Sequence, residues 1–179
     1  MTRVANEYAQ ALYSLARDEG LDERLLAETR VLRDVVSQNP GFVRILSAPN
    51  ISKEERCAVL DRCLGGRVHP YVLNLGKLMT EKGYAWRLAD CFSAYETLFN
   101  EDHGVLPVKA VTAVPLTGEQ SARLRERLEA MTGKRVELTG AVDPACLGGV
   151  RLDYDGKRLD DTLRHRLDAI RSALENTML

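Results

Sequence analysis

The stretch Val142–Leu163, VDPACLGGVRLDYDGKRLDDTL, decides how the C-terminal part of this chain folds. Asp143-Pro144 signals a turn, because proline fixes its own φ and disfavours helix in the residue before it. Gly148-Gly149 supplies backbone without Cβ atoms, free to take positive φ or to lie close against a neighbour. Val150–Tyr154 alternates apolar with charged side chains, the period of a half-buried strand. Asp155-Gly156 is a tight-turn dipeptide. Asp160 and Asp161 are placed to cap the N–H groups of a following helix. The segment reads as turn, strand, hairpin turn and helix start.

Upstream, Val105–Val114 (VLPVKAVTAV) is rich in β-branched residues and stops at Pro115, as a strand does. Thr117 can cap a helix that turns Leu124, Leu128 and Met131 inward, shows a dense Arg/Glu exterior and ends at Gly133. Val136, Leu138 and Val142 mark a second strand, and Val150–Tyr154 the third. Downstream, Leu159, Leu163, Leu167, Ile170 and Leu174 recur at helical spacing. Burying those side chains contributes about 8–15 kcal/mol before entropy, so that helix must dock. The sum is a small α+β domain of β-α-β-β-α order over residues 105–179.

Residues 3–103 read as helix, punctuated at Gly20, Asn39-Pro40, Ala48-Pro49-Asn50, Gly65-Gly66 and Gly83. Six helices are predicted, near 3–19, 22–38, 40–47, 52–64, 69–82 and 84–101. Thr2 can cap the first and Asp22 the second, and Ser52 with Glu55 makes a capping box. Gly20 and Gly65 stand where left-handed residues end helices. Short connections favour an antiparallel bundle over residues 1–104. The chain is therefore expected to be mostly α.

The faces of these helices carry more information than their existence. At about 100° per residue, Val4, Tyr8, Ala11 and Leu15 fall together on the first helix. Ala5, Ala9, Leu12, Tyr13 and Ala16 occupy the adjoining sector. The apolar arc is roughly 200° wide, against the ~100° that one-sided packing needs. The fifth helix repeats the excess, with Tyr71, Leu75 and Leu78 on one side and Val72, Gly76 and Met79 beside it. Either each helix is wedged between several others, which periodicity alone favours, or the two leave a groove for a partner's amphipathic helix. Leu88, Phe92, Tyr95 and Phe99 make a conventional core stripe on the sixth helix, beside which Trp86 reads as packing.

Across 179 residues, 25 Lys+Arg balance 26 Asp+Glu, so no bulk charge invites nucleic acid or anionic lipid. No apolar run approaches the ~20 residues of a membrane span, and MTRVANEYAQ lacks a signal-peptide core, so a cytoplasmic location is expected. Cys57, Cys63, Cys91 and Cys146 form no CxxC pair. They read as buried thiols, with neither metal nor disulfide, even though His69 follows the first two. Phosphate-loop, dinucleotide, nucleophile-elbow and zinc-protease motifs are missing. Asp161 and His165 can pair across a helical turn, but no pocket or third group accompanies them. His69 and His103 fall at element boundaries and read as solvated. A helical domain also resembles helical antitermination factors that bind RNA. Against that, basic and acidic residues interleave, as in Lys53–Arg56 and Arg123–Glu129, and only Arg164–Arg166 clusters.

The order of features as a whole resembles the delta subunit of bacterial F-type ATP synthase, the family of the oligomycin-sensitivity-conferring protein. Tyr8–Tyr13 with Ala16 is similar to the family's opening helix, and Leu46–Ser52 to the turn after its third. Leu73-Asn74-Leu75 followed by Glu81-Lys82-Gly83 resembles its fifth helix and exit. Ala113–Leu116 resembles the end of its first strand. Val142-Asp143 through Gly148-Gly149-Val150, then Leu159-Asp160, resembles its signature, with Asp143, Gly148, Gly149 and Asp160 as structural residues. Gly76, Tyr84, Cys146 and Thr162 depart from the residues common there.

The resemblance implies a stator component with no catalytic residues, cofactor, metal, nucleic-acid partner or small-molecule ligand. Family members sit on the catalytic head, where the N-terminal helical domain binds N-terminal helices of alpha subunits. Their C-terminal domain holds the membrane-anchored b-subunit stalk, so that the head does not turn with the rotor. Carried over by position, Tyr8, Ala11, Asn74 and Leu78 line the groove for an alpha helix; Val4, Leu15, Tyr71 and Leu75 join them from the helical wheel. The implied location is the cytoplasmic face of the bacterial membrane, peripheral, within the synthase.

Overall fold

A computed structural model describes residues 3–162. They fall into two compact units, divided between Phe99 and Asn100. The chain is mostly helical, with a small four-stranded sheet.

The first unit contains α1 (Arg3–Asp18), α2 (Asp22–Gln38), α3 (Pro40–Leu46), α4 (Lys53–Leu64), α5 (Pro70–Glu81) and most of α6 (Leu88–Asp102), whose last residues, from Asn100 on, belong to the second. A 3-10 turn over Ala85–Arg87 leads into α6. The Ser52–Glu55 capping box starts α4, with Glu55 N–H on Ser52 Oγ at 3.2 Å and Ser52 N–H on Glu55 Oε2 at 3.1 Å. Three local expectations change. Leu21, not Asp22, is the N-cap of α2, so Asp22 lies inside the first turn, where its charge favours the helix dipole. The left-handed residue after α4 is Gly66 at φ 71°, because Gly65 still faces the Asp61 carbonyl. His69 is built into the fold rather than solvated. Its Nδ1 accepts from Tyr71 N–H at 3.3 Å to cap α5, and its own N–H donates to Glu28 at 2.6 Å. Thr2 lies outside the described residues.

The core of this unit gathers on the α6 stripe: Leu88, Phe92, Tyr95 and Phe99 are all buried. Leu25, Leu46, Leu60 and Met79 close around it. Arg30 and Arg33 of α2 both grip Glu96 of α6 at the edge of this core. Trp86 does not pack as expected; it is half exposed, with the Arg87 guanidinium 3.7 Å from its ring centre.

The cysteines also divide by environment. Cys91 and Cys146 are buried, Cys57 is half-buried and Cys63 is exposed, and all four are free. Burial pushes the Cys91 thiol up to about 12, which keeps it protonated and inert at neutral pH. Native protein treated with iodoacetamide is therefore expected to label at Cys63 first, and at Cys91 only after denaturation, as read by peptide mass spectrometry. Early labelling of Cys91 would contradict the packing of α6.

The second unit runs β1 (Val105–Thr112), α7 (Gly118–Thr132), β2 (Arg135–Val142), β3 (Val150–Tyr154) and β4 (Lys157–Asp160). Sheet order is β2-β1-β3-β4. β1 pairs parallel with β2, Val105 opposite Arg135, and antiparallel with β3, Val108 opposite Tyr154. α7 makes the crossover between the parallel strands; it starts on a Thr117–Gln120 capping box and stops at left-handed Gly133. Leu124 and Leu128 of α7 pack on Val108, Ala110, Val136 and Leu152 of the sheet, as expected. Met131, in the last turn before Gly133, is left in solvent instead.

The β-α-β-β-α order changes at its end. Asp155 and Gly156 both take positive φ, 46° and 69°, and close a tight hairpin, so the chain returns as β4. Leu159 is thus a strand residue, 56% exposed, and not the first of a helical stripe. Arg158 of β4 donates to Asp153 of β3 at 2.8 Å, which holds that carboxyl below its usual range. Leu163, Leu167, Ile170 and Leu174, with Arg164, His165 and Arg166, lie outside the described residues.

Candidate functional site

The wide apolar arc of α1 splits in two. Ala5, Ala9, Leu12, Tyr13 and Ala16, one sector of the wheel, are buried in the core of the first unit. The adjoining sector is not: Leu15 is 50% exposed, Ala11 is exposed, and Val4 and Tyr8 are half-buried. α5 divides the same way. Val72, Gly76, Met79 and Thr80 face inward, while Asn74 and Leu78 are exposed, Leu78 by 41%. Tyr71 is half-buried. Leu75, at 8%, belongs to the core rather than to an open surface.

α1 and α5 pack together, and two contacts tie their ends. The Tyr71 hydroxyl, at the start of α5, donates to Glu19 just beyond α1. The Tyr8 ring, near the start of α1, lies 6.3 Å from the Tyr84 ring just beyond α5. The helices are therefore antiparallel. Of the expected groove residues, Ala11, Leu15, Asn74 and Leu78 sit between those two ties with their side chains uncovered. The only titratable groups among the eight are the two tyrosines. Tyr71 is pushed up because the Glu19 carboxylate accepts a hydrogen bond from its protonated hydroxyl. The surface carries no nucleophile and no acid–base pair at neutral pH; what it offers is shape and apolar area.

One feature of the first unit was missed by sequence reasoning. A cavity of about 750 Å³ opens among α2, α3, α4, α5 and the start of α6. Its walls include Val31, Val35, Phe42, Ile45 and Phe92, with Gly76 and Val72 contributed by the side of α5 that turns away from Asn74 and Leu78. Val31 and Val35 are 63% and 43% exposed. The signal was present: those valines stand four apart, outside the buried stripe of Leu25, Leu32 and Val36.

In the second unit the expected structural residues come together around one bend. Asp143 accepts from Ala145 N–H at 3.0 Å and caps a 3-10 turn over Pro144–Cys146. Leu147, a non-glycine residue, takes positive φ at the turn's end, and Gly149 follows at φ 80°. A Cβ on Gly149 would stand 2.4 Å from the Asp161 carbonyl oxygen and 3.0 Å from Thr162 Cα. The glycine is thus needed for a close backbone approach as well as for its φ. Asp160 Oδ1 accepts from both Thr162 N–H, at 3.1 Å, and Thr162 Oγ1, at 2.7 Å. This is capping geometry, although Asp160 itself ends β4. Among the described residues, no group of three or more His, Cys, Asp or Glu side chains could hold a metal ion. No described helix is long and apolar enough to cross a membrane.

The model of the ATP synthase delta (OSCP) subunit family matches residues 4–174. The ATP synthase subunit delta of Lacticaseibacillus casei is 33% identical over 172 residues, covering 96% of this chain and 94% of that protein. That of Gloeobacter violaceus is 34% identical over 167 residues, covering 92% and 90%. A chain in the cryo-EM structure of the Toxoplasma gondii mitochondrial ATP synthase hexamer shares the fold, with a TM-score of 0.73 at 21% identity over 97% of this chain and 98% of that one.

Proposed function

This chain belongs to the ATP synthase delta (OSCP) subunit family, and on that premise we propose which surfaces do its work. It is a non-catalytic stator subunit of an F-type ATP synthase, a peripheral part of the complex. Residues 1–104 as a functional domain, the first unit together with the end of α6, receive the N-terminal helix of an alpha subunit along α1 and α5, the helices serving as one antiparallel bundle. Residues 105–179 hold the b subunits of the peripheral stalk. The subunit works at the cytoplasmic face of the bacterial membrane, reaching it only through the complex.

One observation carries the alpha-subunit assignment: half of the apolar arc on α1 and α5 is left uncovered by the unit's own core. A soluble helix keeps such a face only where something else covers it, and an amphipathic helix laid along two antiparallel helices is a recurrent solution. Ala11 lets the incoming helix approach closely. The nucleic-acid reading has no support. Basic side chains along the helices are engaged by acids, Arg24 with Glu28 and Arg123 with Glu119 among them.

Ala11→Asp tests the assignment. A carboxylate at the centre of the buried contact has no partner, so affinity for a peptide of the alpha subunit's N-terminal helix is expected to fall about 10- to 100-fold. Isothermal titration calorimetry reads the affinity, and the variant's melting temperature stays that of the native chain because residue 11 is exposed. Unchanged affinity would remove α1 from the groove.

A further inference from the structure

We propose that the cavity among α2, α3, α4 and α5 is a binding site for a long-chain aliphatic carboxylate, with the carboxylate at Arg67 and the chain lying against Gly76. The cavity is separate from the α1–α5 groove: α5 turns Val72 and Gly76 toward it and Asn74 and Leu78 away. Its volume of about 750 Å³ lies within the ~300–1,000 Å³ range of small-molecule sites.

The lining specifies the chemistry. Its walls are mostly aliphatic and aromatic, Gln38, Asn39 and Cys63 add neutral polar groups, and Arg67 is the only charged side chain among them. Arg67 is exposed and enters no ion pair among the described residues, unlike Arg30 and Arg33, which are committed to Glu96. One unneutralised cation at the edge of an apolar space is complementary to one anionic head on an apolar tail. A guanidinium matches a carboxylate through paired hydrogen bonds.

Gly76 makes the space. A Cβ there would meet only Leu60 Cδ1, at 3.8 Å, an ordinary contact, and nothing else within 4 Å. A larger side chain at 76 would therefore grow into the cavity without moving backbone. Because glycine is a poor helix former, Gly76→Leu also favours α5. The variant is expected to fill the site, and its melting temperature checks that the fold is kept.

The experiment titrates laurate, below its micelle-forming concentration, into the full chain by calorimetry, with dodecanol as the uncharged comparison. Saturable single-site binding of laurate in preference to dodecanol is expected. Gly76→Leu should weaken it at least about tenfold, and Arg67→Gln about tenfold with loss of the preference for the carboxylate. Ala11→Asp should leave it unchanged, so that failure here is distinct from failure of the alpha-subunit groove. No saturable binding by the native chain, or affinity that survives Gly76→Leu in a variant of native melting temperature, would overturn the proposal. If Gly76→Leu does not fold, Arg67→Gln decides, since its side chain lies at the surface: native affinity and native preference in that variant would overturn it equally.

Discussion

Gly149→Ala is expected to unfold the second unit while the first stays intact. Residue 149 sits at φ 80°, which costs a non-glycine residue about 1–2 kcal/mol. The larger cost is steric. The new Cβ would lie 2.4 Å from the Asp161 carbonyl, and that oxygen is backbone, so the segment after β4 must move. Moving it breaks both hydrogen bonds that Asp160 accepts from Thr162, which is itself 2% exposed. The combined effect should exceed about 4 kcal/mol, comparable to the whole stability of a unit this small. Amide resonances of the β1–β4 sheet should collapse in an NMR spectrum while those of α1–α6 persist. Gly140→Ala is the control: its φ is not positive and its Cβ would meet nothing within 4 Å. Equal stability of the two variants would refute this account of the bend.

Tyr95→Ala should have the largest effect on the first unit, about 3–5 kcal/mol. Tyr95 is 1% exposed, packs edge-on against Tyr13 with ring centres 5.5 Å apart, and donates its hydroxyl to the Asp22 carbonyl at 3.2 Å. Tyr95→Phe removes only the hydroxyl and should cost about 1 kcal/mol. Urea unfolding midpoints separate the two. The same side chain adds a pH dependence. Burial, with Asp22 and Tyr13 nearby, pushes the Tyr95 phenol up, and burial pushes the Cys91 thiol up to about 12. Both groups fold neutral, so their stabilisation is complete below the unfolded values of about 9–10 and declines as pH rises above them. The urea midpoint should fall between pH 8 and pH 11, and by less in Tyr95→Phe.

Much of this was legible because local chemistry and packing agree. The Ser52–Glu55 and Thr117–Gln120 boxes, the α6 stripe and the divided arc of α1 each follow from side chains a few residues apart. β4 departs from the expected helix start because an Asp-Gly turn after a strand demands a returning strand, a stronger constraint than the capping potential of Asp160. Asp160 does both, ending the strand and accepting from Thr162. Leu75 and Trp86 show the limit of a helical wheel, which gives direction but not depth. Leu75 lies under the core's edge, and Trp86 sits in a 3-10 turn where the 100° rule no longer applies. The cavity beside Gly76 depends on how far four helices stand apart, and no single periodicity encodes that distance.

The order of the sheet has a mechanical consequence for a subunit that must withstand torque. β1 follows α6 after only His103 and Gly104, and it is an interior strand, flanked by β2 and β3. Tension entering the second unit at Val105 runs along β1 and meets eight paired positions on one side and five on the other. The strand first pulled is the one tied most firmly to its neighbours.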